Sequence, residues 1–382
     1  MSLQAAAEQR GIPCVLMRGG TSKALFFHEH HLPAAEPARD ALLKRIMGSP
    51  DPLQIDGLGG SRLVTSKVAI IRPSSREDAD VDYLFAQVDI ERDLIGYSAN
   101  CGNISAAVGP FAIDEGLVEA REPLTTVRIY NRNTDSILVA QVPVQAGKAQ
   151  VSGDCVIAGV PGSGAGILLD YTGTVGATTG HLLPTGQPSE TLLLENGESI
   201  EITLCDAGNP CVMVAAADLG LEGSESPDAI SANPQLIQRM AEIQAKAGQR
   251  LGFWDDWRSQ DRPGLPLLLS LAEPASFHDS CGEPHPASSM DVRARLIFLG
   301  KCHDSLAATG AICLAAASRI SGSIAHGLSR HEPASQQLRI GHPLGVMEVG
   351  VSLASVNGSP EFSLLGFRRT ARCLMAGVAF VP

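Results

Sequence analysis

Ser98-Ala99-Asn100-Cys101-Gly102-Asn103-Ile104-Ser105-Ala106-Ala107-Val108-Gly109 is the stretch on which the reading of this chain turns. A Gly/Asn-rich turn runs into residues that are small or apolar on every side, the pattern of a helix buried all round, predicted over Asn103 to Glu115. A helix of that kind needs a sheet to enclose it. Its neighbours supply strands: Pro13 to Phe27 reads as strand, Gly19-Gly20 turn, strand, and Ser66 to Ile71 is rich in β-branched residues. Val81 to Asp89 and Thr126 to Tyr130 alternate with period two, which predicts antiparallel strands with one face exposed. Arg39 to Met47 reads as a short amphipathic helix that begins near Pro37 and stops before Gly48.

The second half repeats the plan. Leu306-Ala307-Ala308-Thr309-Gly310-Ala311-Ile312-Cys313-Leu314-Ala315-Ala316-Ala317 is again a Gly/Thr turn entering a small-residue helix, flanked by strands at Leu267 to Ala272, Met290 to Phe298, Gly345 to Leu353 and Gly366 to Val381. Two strand-rich halves with one apolar helix each predict a duplicated α+β architecture. Gln235 to Leu251 adds a surface helix, since Leu236, Ile237, Met240, Ile243 and Ala247 share one face. Both Gly162-Ser163-Gly164-Ala165-Gly166 and Leu183-Pro184-Thr185-Gly186-Gln187-Pro188 break the chain; the later one is taken as the boundary. The expected domains are 1–185 and 186–369, with a strand at 370–382 returning to the first.

Composition narrows the class. With 382 residues, 44% hydrophobic, 18% charged and 4% aromatic, the chain has ample apolar content for packed cores. A net charge of −12 and the absence of a basic run argue against a nucleic-acid partner. They do not argue against a small anion, because a few arginines and helix ends can dominate one site. Met1 to Arg10 has no signal-peptide core and no run of about 18 apolar residues follows, so neither secretion nor a membrane partner is expected. Nine cysteines, an odd number, suggest a reducing cytoplasm. Cys14, Cys211, Cys313 and Cys373 sit among apolar residues and read as core packing. Neither Cys205/Cys211 nor Cys302-His303 has metal-ligand spacing, and His28-Glu29-His30-His31 reads as a solvated loop, so no metal site is expected.

Cys101 is different, with Asn100, Gly102 and Asn103 around it. A thiol at a helix start feels the partial positive charge of unpaired N–H groups, which favours thiolate. Those N–H groups can also hold a carboxylate or an enolate oxygen, and Gly102 lets a ligand come close to the backbone.

Several ordered motifs, spread from about Ile12 to Arg372, together resemble the PrpF family: Met17-Arg18-Gly19-Gly20-Thr21-Ser22-Lys23, Gln54-Ile55-Asp56-Gly57-Leu58-Gly59-Gly60, Thr65-Ser66-Lys67, Asn100-Cys101-Gly102-Asn103, Leu183-Pro184-Thr185-Gly186, Thr309-Gly310-Ala311 and Arg369-Thr370-Ala371-Arg372. Its members are allylic isomerases such as 2-methylaconitate isomerase and 4-oxalomesaconate tautomerase. Met47 to Asp51, Asp78 to Val88 and Val108 to Ala112 look most like the tautomerases. The resemblance implies a diaminopimelate epimerase-like fold: two similar domains, each an antiparallel β-barrel-like sheet around a central helix, with the active site between them. Epimerases of that fold use one cysteine per domain; here Cys101 stands at the first position, whereas Ala307-Ala308-Thr309-Gly310 has none at the second and Cys313 lies a turn further in. A two-thiol racemase is therefore not expected.

The same resemblance points to Lys67 as the second proton-handling group. It implies a cofactor-free 1,3-proton transfer on a small unsaturated polycarboxylate, with Lys67 as base and Cys101 as acid. Arg18, Gly19, Gly20, Thr21, Ser22, Ser66, Asn100, Gly102 and Asn103 are the expected binding residues of the first domain, and His303, Ser305, Thr309 and Gly310 those of the second. The expected substrate is 4-oxalomesaconate. The alternatives are 2-methylaconitate, with the same chemistry, and a non-catalytic accessory role beside an iron-sulfur hydratase. The family also suggests a homodimer.

Overall fold

A computed structural model describes residues 8–98, 100–259, 264–330, 335–354 and 360–382. The chain divides into two compact units, one running to Leu169 and completed by Arg368–Pro382, the other spanning Asp170–Phe367. The Leu183–Pro188 break thus lies inside the second unit, not at its edge. Hydrogen bonds hold it there: the Asp206 N–H donates to the Leu182 carbonyl (2.9 Å), and the Thr203 hydroxyl to the Pro188 carbonyl (2.7 Å). The segment before the proline-rich break is already tied to a strand of the second unit.

In the first unit, strand β1 (Arg10–Gly19) and strand β2 (Ser22–His28) form a hairpin in which Gly19 faces Ser22 and Arg18 faces Lys23. Helix α1 (Glu36–Met47) follows, then β3 (Lys67–Pro73) and β4 (Val81–Val88). β2 and β3 pair in parallel, with Ala24 beside Lys67, and β3 pairs antiparallel with β4, with Lys67 opposite Gln87. β4 joins in parallel the hairpin Leu124–Asn131/Ser136–Gln145. The returning strand Ala371–Val381 lies antiparallel to β1 along its whole length.

Helix α2 (Gly102–Asp114) is buried from Gly102 to Ile113. It can lie so deep because two glycines clear its path. A Cβ on Gly19 would stand 2.4 Å from the Asn103 carbonyl oxygen, and one on Gly109 would stand 2.7 Å from a Val142 methyl. Phe26 on β2 meets Phe111 of α2, with ring centroids 5.4 Å apart. Leu25, Phe27, Val68, Ile70, Leu84, Ala86 and Val88 point the other way, into a core shared with Leu43, Ile46 and Met47 of α1. The alternation in Val81 to Asp89 therefore does not mark an exposed face: all eight residues of β4 are buried, because α1 covers what solvent would otherwise reach. Leu124–Asn131 does keep an exposed face.

The second unit has the same order of pairings. The hairpin Ser199–Ala207/Asn209–Ala215 joins Leu267–Ala272 in parallel; that strand pairs antiparallel with Val292–Phe298, which joins in parallel the hairpin Gln337–His342/Gly345–Ala354. Its central helix, Ala308–Ala317, is wholly buried. Thr309 and Gly310 lie in its first turn, not in a turn before it, and a Cβ on Gly310 would stand 2.5 Å from Leu296. An outer helix, Pro234–Arg250, is capped by the Asn233 side chain and packs Leu236, Met240, Ile243 and Ala247 on Ile202, Leu204, Val212 and Leu268. The hairpins of both units are antiparallel and the joins between them parallel. All nine cysteines are free; Cys14, Cys211 and Cys313 are core residues, but Cys373 is exposed, since its apolar neighbours Leu374 and Met375 also face outward.

Two outcomes follow from this packing. Gly19→Ala must push β1 off α2, at a cost of about 1–3 kcal/mol. Gly377→Ala, where a Cβ meets nothing within 4 Å, should change stability by less than about 0.5 kcal/mol. Thermal denaturation of the two variants compares them. Asp206 is 1% exposed and accepts from Thr178 N, Thr179 N and the Thr179 hydroxyl, yet burial raises its carboxyl to about 6. The folded state then holds a proton that the unfolded chain has lost, so stability should fall between about pH 4 and 6, by up to about 3 kcal/mol. Asp206→Asn should flatten that slope in urea titrations run across the same range.

Candidate active site

Lys67 opens β3 on the sheet face that looks toward α2, the face it shares with Ala24 and Ala69. It is 4% exposed. Its amine donates to the Gln87 side-chain oxygen at 2.6 Å, lies 5.1 Å from the centroid of the Phe85 ring, and interacts with the Cys101 side chain. Burial holds that amine below its ordinary 10.5, and the contact with Cys101 partly offsets the drop. A lysine in this setting supplies a neutral, basic amine more readily than a solvated one.

Cys101 is half-buried and is the N-cap residue of α2, in extended conformation (φ −112°, ψ 97°). No side chain caps the helix and no acid occupies its first turn. Its leading N–H groups therefore point at the site without a built-in anion. The Ser105 hydroxyl, donating to the Cys101 carbonyl (3.0 Å) or the Asn100 side-chain oxygen (3.1 Å), fixes the approach to the helix.

The Gly19–Ser22 turn is pinned to the same helix end. The Asn103 amide donates to the Thr21 hydroxyl (3.1 Å), and its oxygen accepts from the Thr21 N–H (3.4 Å) and from Arg369 Nε (3.2 Å). Gly20 adopts φ +51°, and a Cβ there would stand 2.1 Å from the Asn103 oxygen, so only glycine fits. Ser22, register partner of Gly19 and so facing α2, is 3% exposed, and its hydroxyl has no partner among the described residues. A buried, unsatisfied hydroxyl beside an uncapped helix start is a place for a ligand oxygen.

Other expected residues serve as supports. Arg18 stands on the opposite face of β1 from Gly19 and donates to the carbonyls of Gly20 (3.1 Å) and Thr370 (2.8 Å). Ser66 is fully buried; it accepts from Gln54 (2.8 Å) and donates to the Val88 carbonyl (2.9 Å), bracing the strand just before Lys67. His303, Ser305, Thr309 and Gly310 belong to the second unit. There His303 Nδ1 accepts from the Ser305 N–H (3.0 Å), and Thr309, fully buried, accepts from the Asn209 amide (2.9 Å). Cys313 is also fully buried and donates to the Cys205 carbonyl (3.2 Å), inside the core.

Gln54, Phe85, Gln87 and Arg369 were not among the residues expected from the sequence. Gln87 carried a signal: a glutamine amid Leu84-Phe85-Ala86 and Val88 is a buried amide that needs partners. Arg369 lay within a quoted motif, but only folding brings it to Asn103, 266 positions earlier.

Comparison with known proteins identifies the family. A family profile described as PrpF protein matches residues 9–382. The chain is 43% identical to a 3-methylitaconate isomerase of Eubacterium barkeri, with 98% of each chain covered. It is 41% identical to a 4-oxalomesaconate tautomerase of Pseudomonas putida (98% and 97% covered) and 35% identical to a 2-methyl-aconitate isomerase of Shewanella oneidensis (100% of both). Among solved structures, a methylitaconate-delta-isomerase superposes with a TM-score of 0.79 at 42% identity, covering 98% of this chain and 96% of that one. A hydroxyproline epimerase of Agrobacterium vitis shares the fold at a TM-score of 0.56 and 16% identity (97% and 93% covered). An epimerase-like α+β chain with a lysine set against a helix-start cysteine, matched over nearly its full length by named isomerases, belongs to the PrpF family and is an isomerase.

Proposed function

We propose that the protein catalyses a cofactor-independent 1,3-proton transfer on a small unsaturated polycarboxylate. The observation that carries this reading is the buried amine of Lys67 set against the Cys101 side chain at the uncapped start of α2. Neutral Lys67 removes a proton from the carbon allylic to the double bond. The charge spreads through a dienolate onto the adjoining carboxylate or keto oxygen, and Cys101 protonates the far carbon. The reverse reaction exchanges the two roles.

The backbone N–H groups at Gly102 and Asn103, the Gly19-Gly20-Thr21-Ser22 turn and the Ser22 hydroxyl would receive a substrate carboxylate and steady the dienolate. Arg18, Ser66 and Asn100 keep those groups in place. In the second unit, His303 and Ser305 shape the chain ahead of the uncapped helix at Thr309 and Gly310, which offers N–H donors of the same kind.

Among substrates, 4-oxalomesaconate is favoured by the motifs quoted above. Identities of 43% and 41% to proteins named for 3-methylitaconate and 4-oxalomesaconate give neither a clear lead. Proton NMR of the purified protein in deuterated buffer with chelator, offered 4-oxalomesaconate, 3-methylitaconate and 2-methylaconitate in turn, should show deuterium entering the allylic carbons of one of them. Inertness toward all three would contradict the proposal. A homodimer is proposed on the family resemblance, and sedimentation would test it.

Two further outcomes concern the pair. Lys67→Met should abolish exchange at one allylic carbon and Cys101→Ser at the other, each lowering turnover by about 10²–10⁴-fold. Full exchange at both carbons in both variants would contradict the assignment. Because the active base is the neutral amine, kcat/KM should rise with pH through a midpoint below 10.5, the ordinary lysine value.

A further inference from the structure

Gln87 is 1% exposed and sits in a strand whose every residue is buried. Burying an amide costs free energy unless all its hydrogen bonds are made, and an apolar side chain of similar size would fill the space at lower cost. Gln87 leaves neither polar atom without a partner. Its nitrogen donates to the carbonyls of Leu63 (3.2 Å) and Ser66 (3.0 Å), which uses both amide protons. Its oxygen is left facing the Lys67 amine, 2.6 Å away. Reversing the amide would set donors against donors on the lysine side and oxygen against two carbonyls on the other, so the orientation is fixed by the network.

A second amide backs the first. Gln54, 2% exposed, donates to Ser66 Oγ (2.8 Å) and accepts from the Ser61 N–H (2.9 Å). A Cβ on Gly59 would stand 2.2 Å from the Gln54 amide, so the loop closes tightly over it. The backbone immediately before Lys67 is thus held by two glutamines and a serine, all buried.

We propose that Gln87 is the positioning residue for Lys67: its locked amide presents an uncharged acceptor that aims the amine at Cys101. The inference rests on the reading of Lys67 as the base. The absence of charge is the point. A carboxylate in the same place would also orient the amine, but it would favour the ammonium form and remove the base near neutrality. Phe85, two residues earlier on the same face, already lends the cation some stabilisation, and the Cys101 contact lends more. Gln87 orients the amine without adding a third such influence of full charge.

The chain has six lysines, so protein labelled with ¹³C at lysine Cε gives a sparse spectrum in which Lys67 is assigned by its loss in Lys67→Met. Titration of that signal reads the amine directly, without substrate. Gln87→Glu should move the Lys67 midpoint upward by about 1–3 pH units, and Gln87→Met downward by about one. The alkaline rise of proton exchange into 3-methylitaconate or 4-oxalomesaconate, whichever turns over, should move with it. An unchanged midpoint in Gln87→Met and in any folded Gln87→Glu would overturn the proposal. If instead the midpoints move but Lys67→Met still exchanges protons at both carbons, the role of Lys67 as base fails while its pairing with Gln87 stands.

Discussion

Close approach of helix α2 to strand β1, backbone against backbone at Gly19, is the constraint on which the first unit depends. A helix of small residues can be sunk into a sheet only if the sheet lets it in, and Gly19 and Gly109 do so. Once α2 is seated, its N-terminus arrives beside the β1–β2 turn and the first residue of β3. Most of the polar groups that meet there are buried, and they are satisfied within the protein: Asn103 with Thr21 and Arg369, Ser66 with Gln54, Lys67 with Gln87. The Ser22 hydroxyl, which has no partner among the described residues, and the uncapped helix end are what a ligand can use.

Burial does two jobs at Lys67. It depresses the affinity of the amine for its proton, so that a group ordinarily protonated at neutral pH gives up that proton more readily. It also strengthens each hydrogen bond that fixes where the amine points. The second unit repeats the strand order and the uncapped central helix, but its N-cap residue is Ala307, with no thiol at the position that Cys101 holds in the first unit.

Much of this was legible in the sequence because it rests on local pattern. The helix read as Asn103 to Glu115 is Gly102–Asp114, and the strands from Pro13 to Phe27 flank a turn at the expected glycines. Motifs around Lys67 and Cys101 marked the pair before their contact was visible. Other features depend on what the chain meets after folding. The alternation of β4 gave no hint that α1 would cover its second face. Cys373 has apolar neighbours in sequence yet lies on an outward-facing stretch of strand. The proline-rich break at Leu183–Pro188 has the composition of a linker, but hydrogen bonds to the Ser199–Ala207 strand place it within a unit. The role of Gln87 follows from the β3–β4 register, which aligns it with Lys67 twenty positions earlier.

The central claim is that two different groups handle the proton, one on each carbon. A single turnover in ordinary water, using substrate deuterated at the carbon that loses its proton and excess enzyme, measures this directly by the isotope content of the product. The Lys67 and Cys101 account predicts that the far carbon carries hydrogen from Cys101, with no deuterium passed from the departing position. Substantial deuterium at the far carbon would mean that one group carries the proton across, and would contradict it.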